Sequence, residues 1–456
     1  MVLSNNKYNA NSITEGTIWK ALLVFFFPIL FGTFFQQLYN TIDAIVVGRF
    51  VGKEALAAVG GGSAVFVNMI VGFFVGLTSG AGVLISQFYG AKNSVEISRS
   101  VHTAISLSLV CGILMTILGI GFSSLILKIT KTPADTYPLA NLYLTIFFMG
   151  MIPMSIYNMC SGILRAVGNS RTPLIILIIG CKTNIILDIL LVVILKMGVA
   201  GVAIATVLCQ ILTAVISVTI LIKAKDSYQF SIKKLAFTPH ILAHILRLGF
   251  PAGIQSSLYT ISNLIIQTFI NSFGTDYVAA WAAFGKIDAI FWMMINALGI
   301  AITTFAGQNY GAHKYDRIKK GMWQSLLLAI LFTALFSITF ELAGKYLFML
   351  FSTDSNVILE GVRIIRFLIP FWGTYISIEI LSGTIRGAGK SFIPMIITVF
   401  GVCLLRIVWL FTAVPQNNTM RMVIASYPIT WTITSIMFWI YYLSGKWLTP
   451  LKPEKH

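Results

Sequence analysis

Residues 161–173 read SGILRAVGNSRTP, and residues 382–394 read SGTIRGAGKSFIP. Six positions agree at a shift of 221: Ser161, Gly162, Arg165, Gly168, Ser170 and Pro173 recur as Ser382, Gly383, Arg386, Gly389, Ser391 and Pro394. A second pair of blocks keeps that shift. SQFYGAK at 86–92 matches GQNYGAH at 307–313 through Gln87, Tyr89, Gly90 and Ala91. Pro28 answers Pro251 at a shift of 223, and Ala57–Ala58 recurs at 279–280, at 222. Separate blocks at nearly one offset mark an internal duplication. The longest hydrophilic connection after the N-terminus, 223–242, carries four lysines. It divides the chain into an N-terminal six-helix bundle over 1–222, a basic cytoplasmic linker over 223–242, and a C-terminal six-helix bundle over 243–456.

The solvent around these halves follows from composition. Of 456 residues, 57% are hydrophobic and 10% are charged, with a mean hydropathy of +0.87. A soluble protein keeps about a quarter of its residues charged, so lipid must be the solvent for much of this chain. A bilayer core needs about 20 helical residues. Apolar runs of that length fall at 18–46, 55–80, 103–127, 137–160, 173–195, 199–222, 243–272, 278–302, 321–343, 362–385, 391–413 and 422–444. They are continuously apolar, whereas barrel strands alternate over about ten residues. The expected fold is therefore an all-α integral membrane protein of twelve transmembrane helices in two pseudo-symmetric six-helix bundles. The first run follows a polar segment, lacks a small-residue cleavage site and is too long for a signal peptide.

Each half has an even number of spans, so both take the same orientation and are related by an axis along the membrane normal. The segments on the N-terminal side hold twenty lysines and arginines, and the opposite ones hold nine. Both termini are expected in the cytoplasm. That bias accounts for the net charge of +17 without a nucleic-acid partner. All five cysteines lie within spans with no ligand or disulfide spacing, and read as small core residues. His102, His240, His244, His313 and His456 are near loops or a terminus, with no metal or nucleophile pattern. A membrane-embedded enzyme is therefore disfavoured, and nothing resembles a channel selectivity filter.

The ordered motifs resemble the multidrug and toxic compound extrusion (MATE) transporters over nearly the whole chain. The carrying residues are QQLYNTIDAIVVGRFVG (36–52), QFYGAK (87–92), SGILRAVGNSRTP, NIILDILLV (184–192), GVAGVAIATVLCQ (198–210), QNYGAH and SGTIRGAGKS. The resemblance implies a V-shaped pair of six-helix bundles around a central cavity. It also implies export of bulky, mostly cationic compounds in exchange for protons or sodium ions.

An ionised aspartate at mid-membrane costs about 2.5–3.5 kcal/mol on insertion scales, so each one needs a reason. Asp43 lies five residues before Gly48 and Asp188 eight before Lys196, both near outer ends of spans. At 1.5 Å per residue their depths agree within about one helical turn. Asn184 is one turn from Asp188 on the same face, and Thr206 reaches a similar level. Two carboxylates, an amide oxygen and a hydroxyl make an oxygen-rich place for a hard cation such as Na+. They could equally hold a proton shared between two acids, or form a purely structural hydrogen-bond network. By similarity to the family, Asp43, Asn184, Asp188 and Thr206 match its N-terminal-half cation or proton site.

The second half departs from part of the family. Some members carry acids in the seventh and tenth spans, where this chain has Gln255 and, near the second place, Tyr375. Glu379 lies one turn deeper, facing the cavity or Arg386. This pattern is similar to the prokaryotic branch that relies on the N-terminal-half site. Lys286 and Asp288 are two apart in the eighth span, about 200° around a helix, so they should not pair. Lys182 and Arg406 could neutralise buried acids. Substrate-lining candidates are Gln36, Tyr39 and Asn40 beside Asp43, with Met69, Trp281, Phe284, Lys286, Asp288 and Glu379; aromatic and thioether surfaces suit lipophilic cations. Most aromatic residues in such spans serve lipid contact or packing instead.

The expectation is a cation-coupled antiporter, working as a monomer in the lipid of a bacterial cytoplasmic membrane. It needs no cofactor beyond H+ or Na+ as coupling ion. A lipid-linked precursor flippase of the same superfamily is the alternative; it needs a strongly cationic cavity, for which only Lys182, Lys286 and Arg406 are candidates.

Overall fold

The computed structural model describes residues 13–130 and 132–449. Lys7, Lys131, Lys452, Lys455 and His456, which entered the charge and histidine readings, lie outside the described residues, as do both termini. Every regular element among the described residues is helical. The first half contains α1 (Ile18–Phe50), α2 (Lys53–Gly60), α3 (Gly62–Gly90), α4 (Ser94–Ile129), α5 (Tyr137–Met149), α6 (Met151–Ala166), α7 (Arg171–Asp188) and α8 (Gly198–Ile222). The second contains α9 (Pro239–Asn271), α10 (Thr275–Gly311), α11 (Tyr315–Met349), α12 (Ser355–Leu368), α13 (Trp372–Gly387), α14 (Phe392–Thr398), α15 (Leu405–Thr412), α16 (Met420–Ile424) and α17 (Ser426–Leu443).

Ten helical stretches are long and apolar enough to cross a membrane, and α5 with α6 forms an eleventh that bends by 49°. The twelfth is α9. Its 33 residues reach about 50 Å, ample for a bilayer, but Gln255, Ser256, Ser257, Asn263 and Gln267 make it more polar than the rest. Two expected spans break. The run at 55–80 divides at Gly61, where a Cβ would meet the Ala57 carbonyl oxygen at 2.6 Å. The run at 137–160 bends at Gly150, where a Cβ would lie 2.2 Å from Gln210 Oε1. Pro153 then sits in the first turn of α6, where a missing N–H costs nothing.

The duplication is written in backbone geometry as well as in letters. Lys92 and His313 both take positive φ, 57° and 58°, and Gly168 and Gly389 take 93° and 85°. Each follows a helix closed in the same way. Asn93 N–H donates to Phe88 O and Lys92 N–H to Tyr89 O; Lys314 and His313 repeat this on Asn309 and Tyr310. Asn169 and Gly168 donate to Leu164 and Arg165 as Lys390 and Gly389 do to Ile385 and Arg386. These paired bonds satisfy the last carbonyls of a helix, so the repeated motifs are helix stops.

The chain forms two compact units. One runs from Phe27 to Gly253; the other takes Ile254 onward together with the segment up to Phe26. We call them the first and second unit. Helix α1 passes from the second to the first just before Pro28, and α9 passes back just after Pro251. Proline inside a helix removes one backbone bond and favours a kink there.

Within the first unit, α3 and α9 meet backbone to backbone. A Cβ on Gly76 would lie 2.3 Å from Gly253 N, and one on Gly80 2.3 Å from Gly249 N. Two facing small-xxx-small pairs allow this approach, the usual device for packing helices where lipid supplies no hydrophobic drive. The linker is pinned to α4: Ser231 N–H donates to His102 Nε2 at 3.1 Å and Thr238 N–H to Thr103 Oγ1 at 3.1 Å. Within the second unit, the segment before α1 is clamped by α10 and α11. Lys314 Nζ donates to Thr14 O at 2.9 Å, and Arg317 reaches the carbonyls of Ile13, Glu15 and Gly16.

Candidate functional site

In the first unit, Gln36, Tyr39, Asn40 and Asp43 follow one another at i, i+3, i+4 and i+7 along α1, which sets them on one face. Gln36 and Asn40 are exposed; Tyr39 and Asp43 are half-buried. From α7 come Asn184 and Asp188, one turn apart and both fully buried. At Asp188 the α-helical pattern stops, and Ile189–Ile194 continue as a π-helix. Such widened turns recur at functional sites, and this one begins beside the acid.

Asp43 and Asp188 lie close enough for their carboxyl groups to act on each other. Tyr39, Tyr143, Cys181 and Cys209 stand around them. Thr206 on α8 is buried, and its hydroxyl donates to Val202 O at 3.0 Å, which leaves its lone pairs for another donor or a cation. Cys209 Sγ donates to Gly180 O at 3.1 Å, tying α8 to α7. Among the described residues, no donor reaches Asp43 Oδ1, either oxygen of Asp188 or Asn184 Oδ1, and no acceptor takes the Asn184 Nδ2 protons. An unmet buried polar group costs about 1–3 kcal/mol, so this cluster calls for a partner that the side chains do not supply.

That partner is not a basic residue. No ion pair among the described residues involves either acid. Lys182 is two residues before Asn184, about 200° around α7, and exposed. Two carboxylates this close cannot both stay ionised without a positive charge between them. A proton, or a cation held by Asp43, Asp188, the Asn184 amide oxygen and the Thr206 hydroxyl, meets that need; the donor set is all oxygen, as hard cations require. Half-buried Asp43 is the more accessible of the pair.

Met69 on α3 is half-buried. The remaining candidates lie in the second unit, in a different setting. Trp281 and Phe284 face each other with centroids 5.4 Å apart, and Phe284 is buried. Lys286 is exposed. Asp288 Oδ2 accepts from Trp292 Nε1 at 2.6 Å, its Oδ1 is buried without a partner, and no ion pair joins it to Lys286 among the described residues. Glu379 pairs with Arg386 at 3.2 Å. Gln255 Oε1 is buried without a partner, and Tyr375 lies 3.4 Å from the Tyr259 hydroxyl. Arg406 is 1% exposed and takes part in no ion pair among the described residues. Its Nη1 donates to Asn263 Oδ1 at 3.4 Å, and its guanidinium lies 4.2 Å from the Tyr427 ring centroid.

Tyr143 and Cys209 belong to the acid cluster and were not singled out from the sequence. Their neighbourhood depends on how α5 and α8 pack, and no local pattern marks it. Arg406 neighbours an amide and the ring of Tyr427, near which Asp288 also lies.

An all-helical membrane protein made of two duplicated units, with unpaired carboxylates buried inside one of them, has the build of a secondary transporter. The sequence profile of the MatE family matches residues 28–190 and 251–412, one match in each half. The chain belongs to the MatE family. It is 28% identical over 396 residues to the probable multidrug resistance protein YoeA of Bacillus subtilis, covering 85% of each chain. It is 28% identical over 448 residues to the probable multidrug resistance protein YpnP of the same organism, covering 96% of this chain and 98% of that one. A multidrug resistance MATE family transporter solved in an outward-facing conformation superposes with a TM-score of 0.90 at 22% identity, over 98% of this chain and 100% of that one. The last likeness speaks for the fold.

Proposed function

We propose that this protein exports lipophilic, mostly cationic compounds across a bacterial cytoplasmic membrane in exchange for protons or sodium ions. The observation that carries the reading is that Asp43 and Asp188 lie close enough to act on each other, with no ion-pair partner for either among the described residues. Ionised, the pair attracts a cationic compound; with a proton or Na+ between them, that attraction falls. Coupling then needs only that drug and coupling ion compete, or favour different states of an alternating-access cycle. Gln36, Tyr39 and Asn40 stand on the face of α1 that carries Asp43, where a bound compound would first meet polar groups. Met69, Trp281, Phe284, Lys286, Asp288 and Glu379 are the further substrate contacts of this proposal. Both termini lie in the cytoplasm, the protein works as a monomer in the lipid, and the coupling ion is its only other cargo.

The test is ethidium efflux from proteoliposomes under an imposed proton gradient and, separately, an imposed sodium gradient. Efflux under one of them names the coupling ion. Efflux under neither, together with movement of a labelled lipid-linked precursor, would replace this reading with that of a flippase.

A further inference from the structure

Residues 232–237 of the linker read IKKLAF, and all six are exposed. Ile232 is 68% exposed, Leu235 39% and Phe237 44%. Looseness does not explain this, because the linker is tied to the first unit on both sides. After α8 the chain turns back: Phe230 N–H donates to Leu221 O at 3.0 Å and Gln229 Nε2 to Ile222 O at 3.0 Å. Tyr89 donates to Asp226 Oδ2 at 3.4 Å. Phe230 is buried, its ring 5.3 Å from that of His102. Ser231 N–H is bonded to His102 and Thr238 N–H to Thr103, and Ser106 Oγ donates to Ala236 O at 3.4 Å. Between these ties Ile232–Lys234 form a single 3-10 turn. An ordered backbone therefore holds three large apolar side chains outward.

The ties also fix the depth of the stretch. His102, Thr103 and Ser106 stand where the apolar run of α4, 103–127, begins, the level at which hydrocarbon gives way to headgroups. Leu246 and Phe250, one turn apart on α9, are exposed as well and continue the apolar surface along a spanning helix. The only charges in the stretch are Lys233 and Lys234, and neither joins an ion pair among the described residues. Lys223 and Lys225 add exposed positive charge earlier in the linker, whose one acid, Asp226, faces Tyr89. Apolar groups at this level gain by entering the acyl boundary, while a lysine keeps its stem apolar and its ammonium among the phosphates. An anionic headgroup answers both the depth and the charge.

We infer that residues 232–237 are a membrane-surface anchor that recognises anionic phospholipids. Ile232, Leu235 and Phe237 enter the acyl boundary, and Lys233 and Lys234 bind the phosphodiester headgroups. The anchor belongs to the first unit alone and holds whatever compound the protein moves.

The experiment follows hydrogen exchange of the full-length protein by mass spectrometry, one copy to a nanodisc. One set of nanodiscs is phosphatidylcholine, the other an equal mixture of phosphatidylcholine and phosphatidylglycerol. Exchange of the peptide over 229–238 should be about tenfold slower in the mixed bilayer, and the difference should shrink as salt is raised. Lys233→Gln combined with Lys234→Gln should abolish the difference, while the α4 peptide around His102 and Thr103 keeps its wild-type exchange, which shows the linker still tied. Phe237→Ser should speed exchange in both bilayers. Equal wild-type exchange in the two bilayers would overturn the anchor. So would a difference that survives the double substitution, or unchanged exchange in Phe237→Ser. Slowing seen only where many copies share one vesicle would make a second copy of this chain the occupant, and would overturn it too.

Discussion

The first unit sets two acids together with no ion-pair partner among the described residues, while the second buries Arg406 against an amide and a tyrosine ring near which Asp288 also lies. The two grew from one duplicated sequence, and their helix stops still agree bond for bond at Lys92 and His313 and at Gly168 and Gly389. What diverged is the polar interior. At the repeat shift of 221, Asp188 falls on Trp409, whose indole donates to Met422 O at 2.9 Å. Ile185, next to Asn184, falls on Arg406. The difference is a chemical one. Carboxylates this close can gain or lose a proton or a cation, so the first unit has a charge that can change; a guanidinium keeps its charge. Duplication preserved the scaffold while the polar interiors diverged.

The sharpest way to break this contrast is Asp188→Asn. The amide keeps the shape and removes the charge, so gradient-driven ethidium efflux should fall to the level of protein-free vesicles while the folded yield stays near wild type. Arg406→Gln should do the reverse. Thermal unfolding should show a loss of about 1–3 kcal/mol from its lost contacts, with gradient-driven efflux persisting in whatever folds. If Arg406→Gln uncoupled transport as Asp188→Asn does, the assignment of coupling to the first unit would fail.

Two smaller effects refine the contrast. Asn184→Leu removes an amide oxygen from the acid pair. If Na+ is the coupling ion, its affinity, read from the sodium dependence of efflux, should fall about tenfold; if protons are, the pH dependence should move little. Lys182→Met should change the efflux rate by less than about twofold, because an exposed lysine far around α7 gives the acids little electrostatic support.

Much of this was legible in the letters, for physical reasons. Helices bury their own backbone groups, so long apolar runs reported the spans, and a fixed offset reported the two halves. Asn184 and Asp188 shared a face because four residues make about one turn. Other features depend on tertiary placement. Nothing local says that α1 changes unit between Phe26 and Phe27, or that Tyr143 and Cys209 border the acids. Gly150 and Pro153 bend a stretch that reads as one apolar run, since hydropathy averages over the break. Arg406 was visible as a charge in a span, but its place against Asn263 and Tyr427 is a property of the packed α9, α15 and α17. The run at 243–272 marked α9 as a span although Gln255, Asn263 and Gln267 make it one of the more polar ones.

The measurement closest to the central claim compares wild type with Asp43→Asn in proteoliposomes, recording ethidium efflux and coupling-ion flux together under the gradient that drives export. Drug movement coupled to ion movement in wild type, with both lost in a variant that remains folded, is the predicted result. Coupled export at the wild-type rate in Asp43→Asn would contradict it, and would place the coupling outside the Asp43–Asp188 pair.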